Sequence, residues 1–186
     1  MTPKYLWLDL ETSGLDPTEA VILECAALVT DHNLIQIGAP MVMVLHAGPD
    51  VFKRADPYVQ AMHTDNGLWL DCSTALHAET HLETALCTLI GGHQWEQDGK
   101  PIIAGATIHF DRGFLAHDCP EAERLLHHRH LDVSSLKLAQ MDCLGVPFAK
   151  ANAHRALPDV LESLEQAREV YRRIRASDGP AAAAAW

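Results

Sequence analysis

Short apolar runs separated by turn residues open the chain. Tyr5 to Glu11 (YLWLDLE), Val21 to Thr30 (VILECAALVT) and Met41 to Leu45 (MVMVL) have the composition of strands, and Gly, Pro and Asp stand between them. The pattern predicts three strands in a meander. The period then lengthens. Leu76, Leu82, Leu86 and Leu89 recur roughly at helical spacing, so Ser73 to Ile90 is expected to form an amphipathic helix with Ser73 or Thr74 as N-cap. Gly91 to Lys100 is a polar loop, and Pro101 to Ile108 (PIIAGATI) reads as a buried strand leading into a short helix near Asp111 to His117.

Farther on, Glu121 to Arg129 is expected to be helical, Leu131 to Val133 extended, and Ser134 to Cys143 helical with Ser134 as a cap. From Leu157 onward, Val160, Leu161, Leu164, Ala167, Tyr171 and Ile174 mark one face of a long helix. Strands alternating with helices predict an α/β fold in which helices cover a mixed sheet. One core suits 186 residues, so residues 1–176 are expected to be a single domain and 177–186, with their alanine run, a flexible tail.

Composition narrows the function classes. Hydrophobic residues make up 48% and charged residues 21%, which excludes the apolar-poor signature of disorder. A net charge of −11 argues against a broad basic face that holds long duplexes, yet it suits a pocket whose bound cations are the largest local charges. Five cysteines with no Cys-x-x-Cys pair suggest neither a disulfide framework nor a zinc knuckle. No apolar run reaches membrane-spanning length and no long leader core follows Met1, so a cytoplasmic protein without a membrane partner is expected.

Candidate chemistry begins in the first strand. Asp9 and Glu11 are two apart and share a face of the sheet. Two such acids repel and need a cation, a proton or solvent, and their hard oxygens suit Mg²⁺ or Mn²⁺. Alone, the pair reads more readily as a solvated strand end. Asp111 follows an apolar strand, where an α/β fold presents residues to a crevice, although taken alone it is more readily a helix cap than a ligand. His154 and Asp159 are five apart and cannot share one face of a continuous helix. Pro158 is tolerated in a first helical turn, so the helix is expected to begin near Leu157, with Asp159 in its first turn and His154 on the loop before it. A lone histidine is more often a surface or core residue than a base.

As a set, these five positions resemble the DEDDh exonuclease superfamily: Asp-x-Glu near the start, an Asp after a mid-chain strand, and His-x₄-Asp opening a C-terminal helix. The stretches LWLDLETSGLDP, HFDRGFL, HHRHLDVSSLK and AHRALPDV look like oligoribonuclease, the family that degrades very short RNA. The resemblance implies a ribonuclease H-like mixed sheet, 3′–5′ exonuclease activity, and two divalent cations, Mg²⁺ or Mn²⁺. Asp9, Glu11, Asp111 and Asp159 would be the metal ligands and His154 the general base. Leu15 and Tyr58 match residues that wedge against the terminal bases, and His63 matches a further substrate-site histidine. Thr107, Arg129 and Ser134 match a cap on the 5′ phosphate, completed in that family across a homodimer.

Some positions depart from the family pattern. Thr12-Ser13 stands where Met-Thr is usual, Tyr58 replaces Trp, Thr107 replaces Ser, Pro158 replaces Asp, and the stretch from Asp142 to His154 is short. Hydroxyls and an aromatic ring are kept, so these exchanges bear on RNA and length preference rather than on the acidic set. Two other readings compete: a DNA-directed 3′–5′ exonuclease of the same superfamily, and a catalytically silent nucleic-acid-binding module. His77, His81 and the cluster His127, His128 and His130 lack a recognisable zinc spacing and are expected to be solvated.

Overall fold

The computed structural model describes residues 1–147 and 154–177; the expected tail from Asp178 onward lies outside the described residues. Strands β1 (Tyr5–Thr12), β2 (Ile22–Thr30), β3 (Gln36–Val44), β4 (Ile102–Gly105) and β5 (His130–Asp132) form one sheet in the order β3-β2-β1-β4-β5. Its first three strands are antiparallel neighbours, whereas β4 lies parallel to β1 and β5 parallel to β4. The helices are α1 (Pro49–Arg54), α2 (Pro57–Asp65), α3 (Leu68–Thr74), α4 (Glu79–Gly91), α5 (His109–Asp118), α6 (Pro120–Arg124), α7 (Val133–Leu144) and α8 (Ala156–Ser177). This is the mixed α/β sheet expected from the sequence.

The period of two in β1 sorts its side chains between two cores. Leu6, Leu8 and Leu10 pack with Leu82, Leu86 and Ile90 of α4 and Phe114 of α5. Tyr5 and Trp7 face the other way, onto Val133 of α7 and Val160, Leu164 and Ala167 of α8. Each buried aliphatic side chain contributes roughly 1.5–3 kcal/mol. A one-residue slip would exchange the faces and drive Asp9 and Glu11 among the leucines, so the register of β1 fixes where its acids point. The Tyr5 and Tyr171 hydroxyls are 3.2 Å apart, which places the later turns of α8 at the start of β1.

β1 and β4 approach closely. A Cβ on Gly105 would lie 2.6 Å from the Leu8 carbonyl oxygen and 2.9 Å from Ile108 Cδ1. Backbone cannot yield as a flexible side chain can. Gly105→Ala is therefore expected to cost about 1–3 kcal/mol, lowering the melting temperature by roughly 2–4 °C per kcal/mol in thermal unfolding. An unchanged melting temperature would show that the sheet opens there without strain.

Several predicted boundaries move. The helix expected over Ser73–Ile90 is two helices, because Leu45 forms a bridge with His77, and the His46 N–H donates to the His77 carbonyl. Ser73 and Thr74 do not cap α4; their hydroxyls donate back to the Leu70 carbonyl in the last turn of α3, and Leu76 is 90% exposed. The strand expected over Pro101–Ile108 stops at Gly105, since Thr107 turns into a left-handed conformation (φ 56°). Strand β3 begins earlier than Met41, because Gln36 and Ile37 already pair with Thr30 and Val29. The helix at Glu121–Arg129 ends at Arg124, where the chain turns so that the His127 N–H reaches the Pro101 carbonyl. Asp132, not Ser134, caps α7, its carboxylate accepting the Ser134 and Ser135 N–H groups. On α8, Leu161 and Ile174 are exposed and Val160, Leu164 and Ala167 carry the contact.

Candidate active site

Beyond Trp7, the α8-facing side of β1 changes from apolar to acidic. Asp9 and Glu11 continue that face, and the first turn of α8 brings Asp159 over them. One carboxylate oxygen from each of the three lies within 4.8 Å of the others, a set that could hold a metal ion. Asp111 sits in the first turn of α5, only 3% exposed and outside this trio. Its Oδ1 accepts the Leu10 N–H at 2.8 Å. The β1–β4 ladder has ended at Trp7 and Ala104, so Asp111 satisfies a backbone donor that β4 no longer reaches.

Burial, with the charges of neighbouring acids, holds the protons of Asp9, Glu11 and Asp111 tightly. Burial, then the charges of Asp111, Glu11, Asp159 and Glu24, push Asp9 up to about 9. Burial, then Asp159, Glu24 and Asp111, push Glu11 up to about 8, with Arg155 opposing. Asp111 is raised to about 7 by burial, against the pull of the Leu10 N–H. All-oxygen donors in such an environment exchange protons for a hard divalent cation.

His63 flanks the trio from α2. It is fully buried, its ring meets Trp69 edge-on at 6.0 Å, and its Nε2 lies 3.7 Å from Glu11 Oε2. That nitrogen has no hydrogen-bond partner among the described residues. Burial holds the ring below the usual histidine range, which favours its neutral form beside the acids.

His154 stands two residues before α8 in a left-handed backbone conformation (φ 48°). The Asn66 side-chain amide donates to its carbonyl oxygen. The next two residues are held from β2: Arg155 donates to both carboxylate oxygens of Glu24 at 2.8 and 3.0 Å, and the Ala156 N–H donates to Glu24 Oε2 at 2.9 Å. Glu24 is only 2% exposed and pairs across the sheet with Glu11. Arg155 also reaches Asp71 Oδ2 at 3.0 Å.

The remaining sequence candidates sit around this centre in different ways. Leu15 and Tyr58 are 82% and 68% exposed, large apolar surfaces left to solvent; Asp56 caps the turn that presents Tyr58. The Thr107 and Ser134 hydroxyls are 3.0 Å apart, and Asp132 holds both loops by accepting the Thr107 and Ser134 N–H groups. Arg129 is exposed ahead of β5, its N–H donating to the His127 ring.

A model of the RNase T exonuclease family matches residues 6–167. The chain belongs to this family. Its relatives include the oligoribonuclease of Corynebacterium efficiens, 38% identical with 97% of this chain and 83% of the relative covered. That of Corynebacterium diphtheriae is 37% identical over 91% and 82%, and that of Neisseria meningitidis serogroup B is 34% identical over 89% of each. Among solved structures, the zinc-bound complex of Escherichia coli exonuclease I with single-stranded DNA superposes with a TM-score of 0.70 at 18% identity. It covers 93% of this chain, which spans only 41% of exonuclease I, so this likeness bears on the fold alone. The resemblance to DEDDh exonucleases and the ribonuclease H-like architecture are thus borne out.

In this family member the fold brings Asp9, Glu11 and Asp159 together, places Asp111 and His63 against them, and joins Thr107 to Ser134. Glu24, Arg155 and Asn66 were not singled out from the sequence. Glu24 left a signal, a lone acid inside the apolar run VILECAALV. Nothing local marks Asn66, which acquires its partners only through the tertiary fold.

Proposed function

We propose that this chain is a metal-dependent 3′–5′ exonuclease that hydrolyses very short RNA to mononucleotides, using two divalent cations, Mg²⁺ or Mn²⁺. The carrying observation is the Asp9–Glu11–Asp159 oxygen cluster in a chain whose relatives are oligoribonucleases. Bound ions would supply charge stabilisation to the attacking and leaving oxygens of the phosphodiester. Asp9, Glu11 and Asp159 would hold them, and Asp111 would complete the acidic set. His154 takes a proton from the attacking water, whose oxygen bonds to phosphorus as the bond from phosphorus to the 3′ oxygen breaks; the 3′ oxygen takes up a proton from solvent, leaving a 5′ nucleotide and a chain shortened by one residue with a free 3′ hydroxyl.

Substrate selection in this reading comes from the periphery. Tyr58 stacks on a terminal base and Leu15 makes apolar contact with it, a mode that tolerates any base. His63, 3.7 Å from Glu11 behind the acids, is the further substrate-site histidine of this reading. Thr107 and Ser134 offer paired hydroxyls to a 5′ phosphate, with Arg129 as its cation and a second copy of the chain completing the cap in a homodimer. The whole unit acts as one catalytic domain over residues 1–176, in the cytoplasm. Among the described residues no helix is long and apolar enough to cross a membrane.

The test is hydrolysis of 5′-labelled RNA of about two, five and twenty nucleotides beside matched DNA. Cleavage of the RNA dinucleotide is expected to exceed that of the long RNA and of the DNA dinucleotide by about tenfold or more, the equivalent of one productive hydrogen bond at a 2′ hydroxyl or a terminal phosphate. Equal or faster processing of long DNA would overturn the substrate assignment and leave a DNA-directed exonuclease.

A further inference from the structure

The histidine read above as the general base occupies an awkward place. His154 has a left-handed backbone without being glycine, a conformation that persists only where neighbours over-determine it. The peptide joining it to Arg155 sets where its Cα, and so the root of the imidazole, stands. Two sets of contacts fix that peptide and its successor. On the α8 side, Glu24 receives the Arg155 guanidinium and the Ala156 N–H. On the other side, the Asn66 amide donates to the His154 carbonyl.

Asn66 is suited to this bridging task. Its Oδ1 accepts the Leu68 N–H at 3.0 Å, so its Nδ2 is the end turned to the His154 carbonyl, and that nitrogen also lies 3.5 Å from His63 Nδ1. Its backbone carbonyl faces Arg155 Nη1 at 3.4 Å. One residue at the C-terminal end of α2 thereby touches both the turn that bears His154 and the buried His63 beside Glu11.

We infer that Asn66 is a positioning residue for His154, tying the base to α2, the helix that carries Tyr58 and His63. The inference rests on the reading of His154 as the base. It does not make Asn66 a substrate ligand or a metal ligand, so its loss acts on turnover and not on binding. Misplacing a reacting group by about 1 Å can cost on the order of 10²-fold in rate. Asn66 is half-buried on the protein surface, so its replacement leaves both cores intact.

The experiment is a double-mutant cycle with a short 5′-labelled RNA in saturating Mg²⁺, reading kcat, KM and melting temperature for Asn66→Ala, His154→Ala and the double variant. Asn66→Asp is included because it keeps the acceptor for Leu68 and loses the donor to His154. Both Asn66 variants are expected to lower kcat by about 10–10²-fold with KM changed less than about twofold and a melting temperature near that of the parent. In the His154→Ala background, Asn66→Ala should change the residual rate by less than about twofold, since the group it positions is gone. Equal losses in both backgrounds, a loss carried by KM, or parental turnover in both Asn66 variants would overturn the inference. Parental turnover in His154→Ala would instead remove the base assignment, and the positioning role with it.

Discussion

Asp9→Asn is expected to abolish hydrolysis while making the metal-free protein more stable. In the proposed mechanism the cations at the acidic site would supply several kcal/mol of charge stabilisation, so loss of one of the residues that would hold them should lower turnover by at least about 10³-fold. Stability should move the other way. Asp9, Glu11 and Asp111 hold their protons up to about 9, 8 and 7 in the folded chain, against roughly 4 for carboxylates in an unfolded one. An acid with a raised folded value favours the folded state fully below the unfolded pKa, and that contribution is lost as pH rises through the folded value. The metal-free protein should accordingly lose stability from about pH 4 toward pH 9. Asp9→Asn removes the cost of keeping that buried acid protonated, raising the melting temperature at pH 8 by roughly 2–4 °C for each kcal/mol so relieved and by little at pH 4. Mg²⁺ or Mn²⁺ should stabilise the parent and fail to stabilise the variant. A variant less stable than its parent at pH 8 in chelator would contradict the electrostatic picture.

His154→Ala is expected to separate catalysis from metal binding. A positioned general base contributes about 10²–10⁴-fold, so kcat should fall within that range while the cation concentration for half-maximal stabilisation stays near the parental value. Added imidazole should restore part of the rate, because the side chain is removed without disturbing the acids on β1. A drop in metal affinity as large as the drop in kcat would instead make His154 a structural support of the acidic cluster.

Much of this site was legible because β1 obeys a period of two. The alternation that sends Tyr5 and Trp7 toward α8 sends Asp9 and Glu11 there as well, and Pro158 marks the helix start that delivers Asp159. Asp111 was legible as a residue beyond a strand, although its bond to the Leu10 N–H depends on where β4 stops, which its apolar run PIIAGATI does not reveal. The helix assigned from Ser73 failed for a related reason. Leu76 fits the helical period, but the bridge between Leu45 and His77 breaks the helix there, and a contact so distant in sequence leaves no local trace. The same holds for Glu24 with Arg155, separated by 131 positions, and for Asn66 with His154, separated by 88. Arg129 was assigned by position in a motif, and the bond it makes here, from its backbone N–H to the His127 ring, bears on its backbone and not on its guanidinium.

The most direct test of the central claim follows a 5′-labelled RNA pentamer as Mg²⁺ is titrated from full chelation upward, with Asp9→Asn beside the parent. The expected result is no cleavage in chelator, then a rate that rises with the cation and a ladder of labelled products shortening one nucleotide at a time from the 3′ end. Cleavage that persists in chelator, or release of the label first as a mononucleotide, would contradict a metal-dependent 3′–5′ exonuclease.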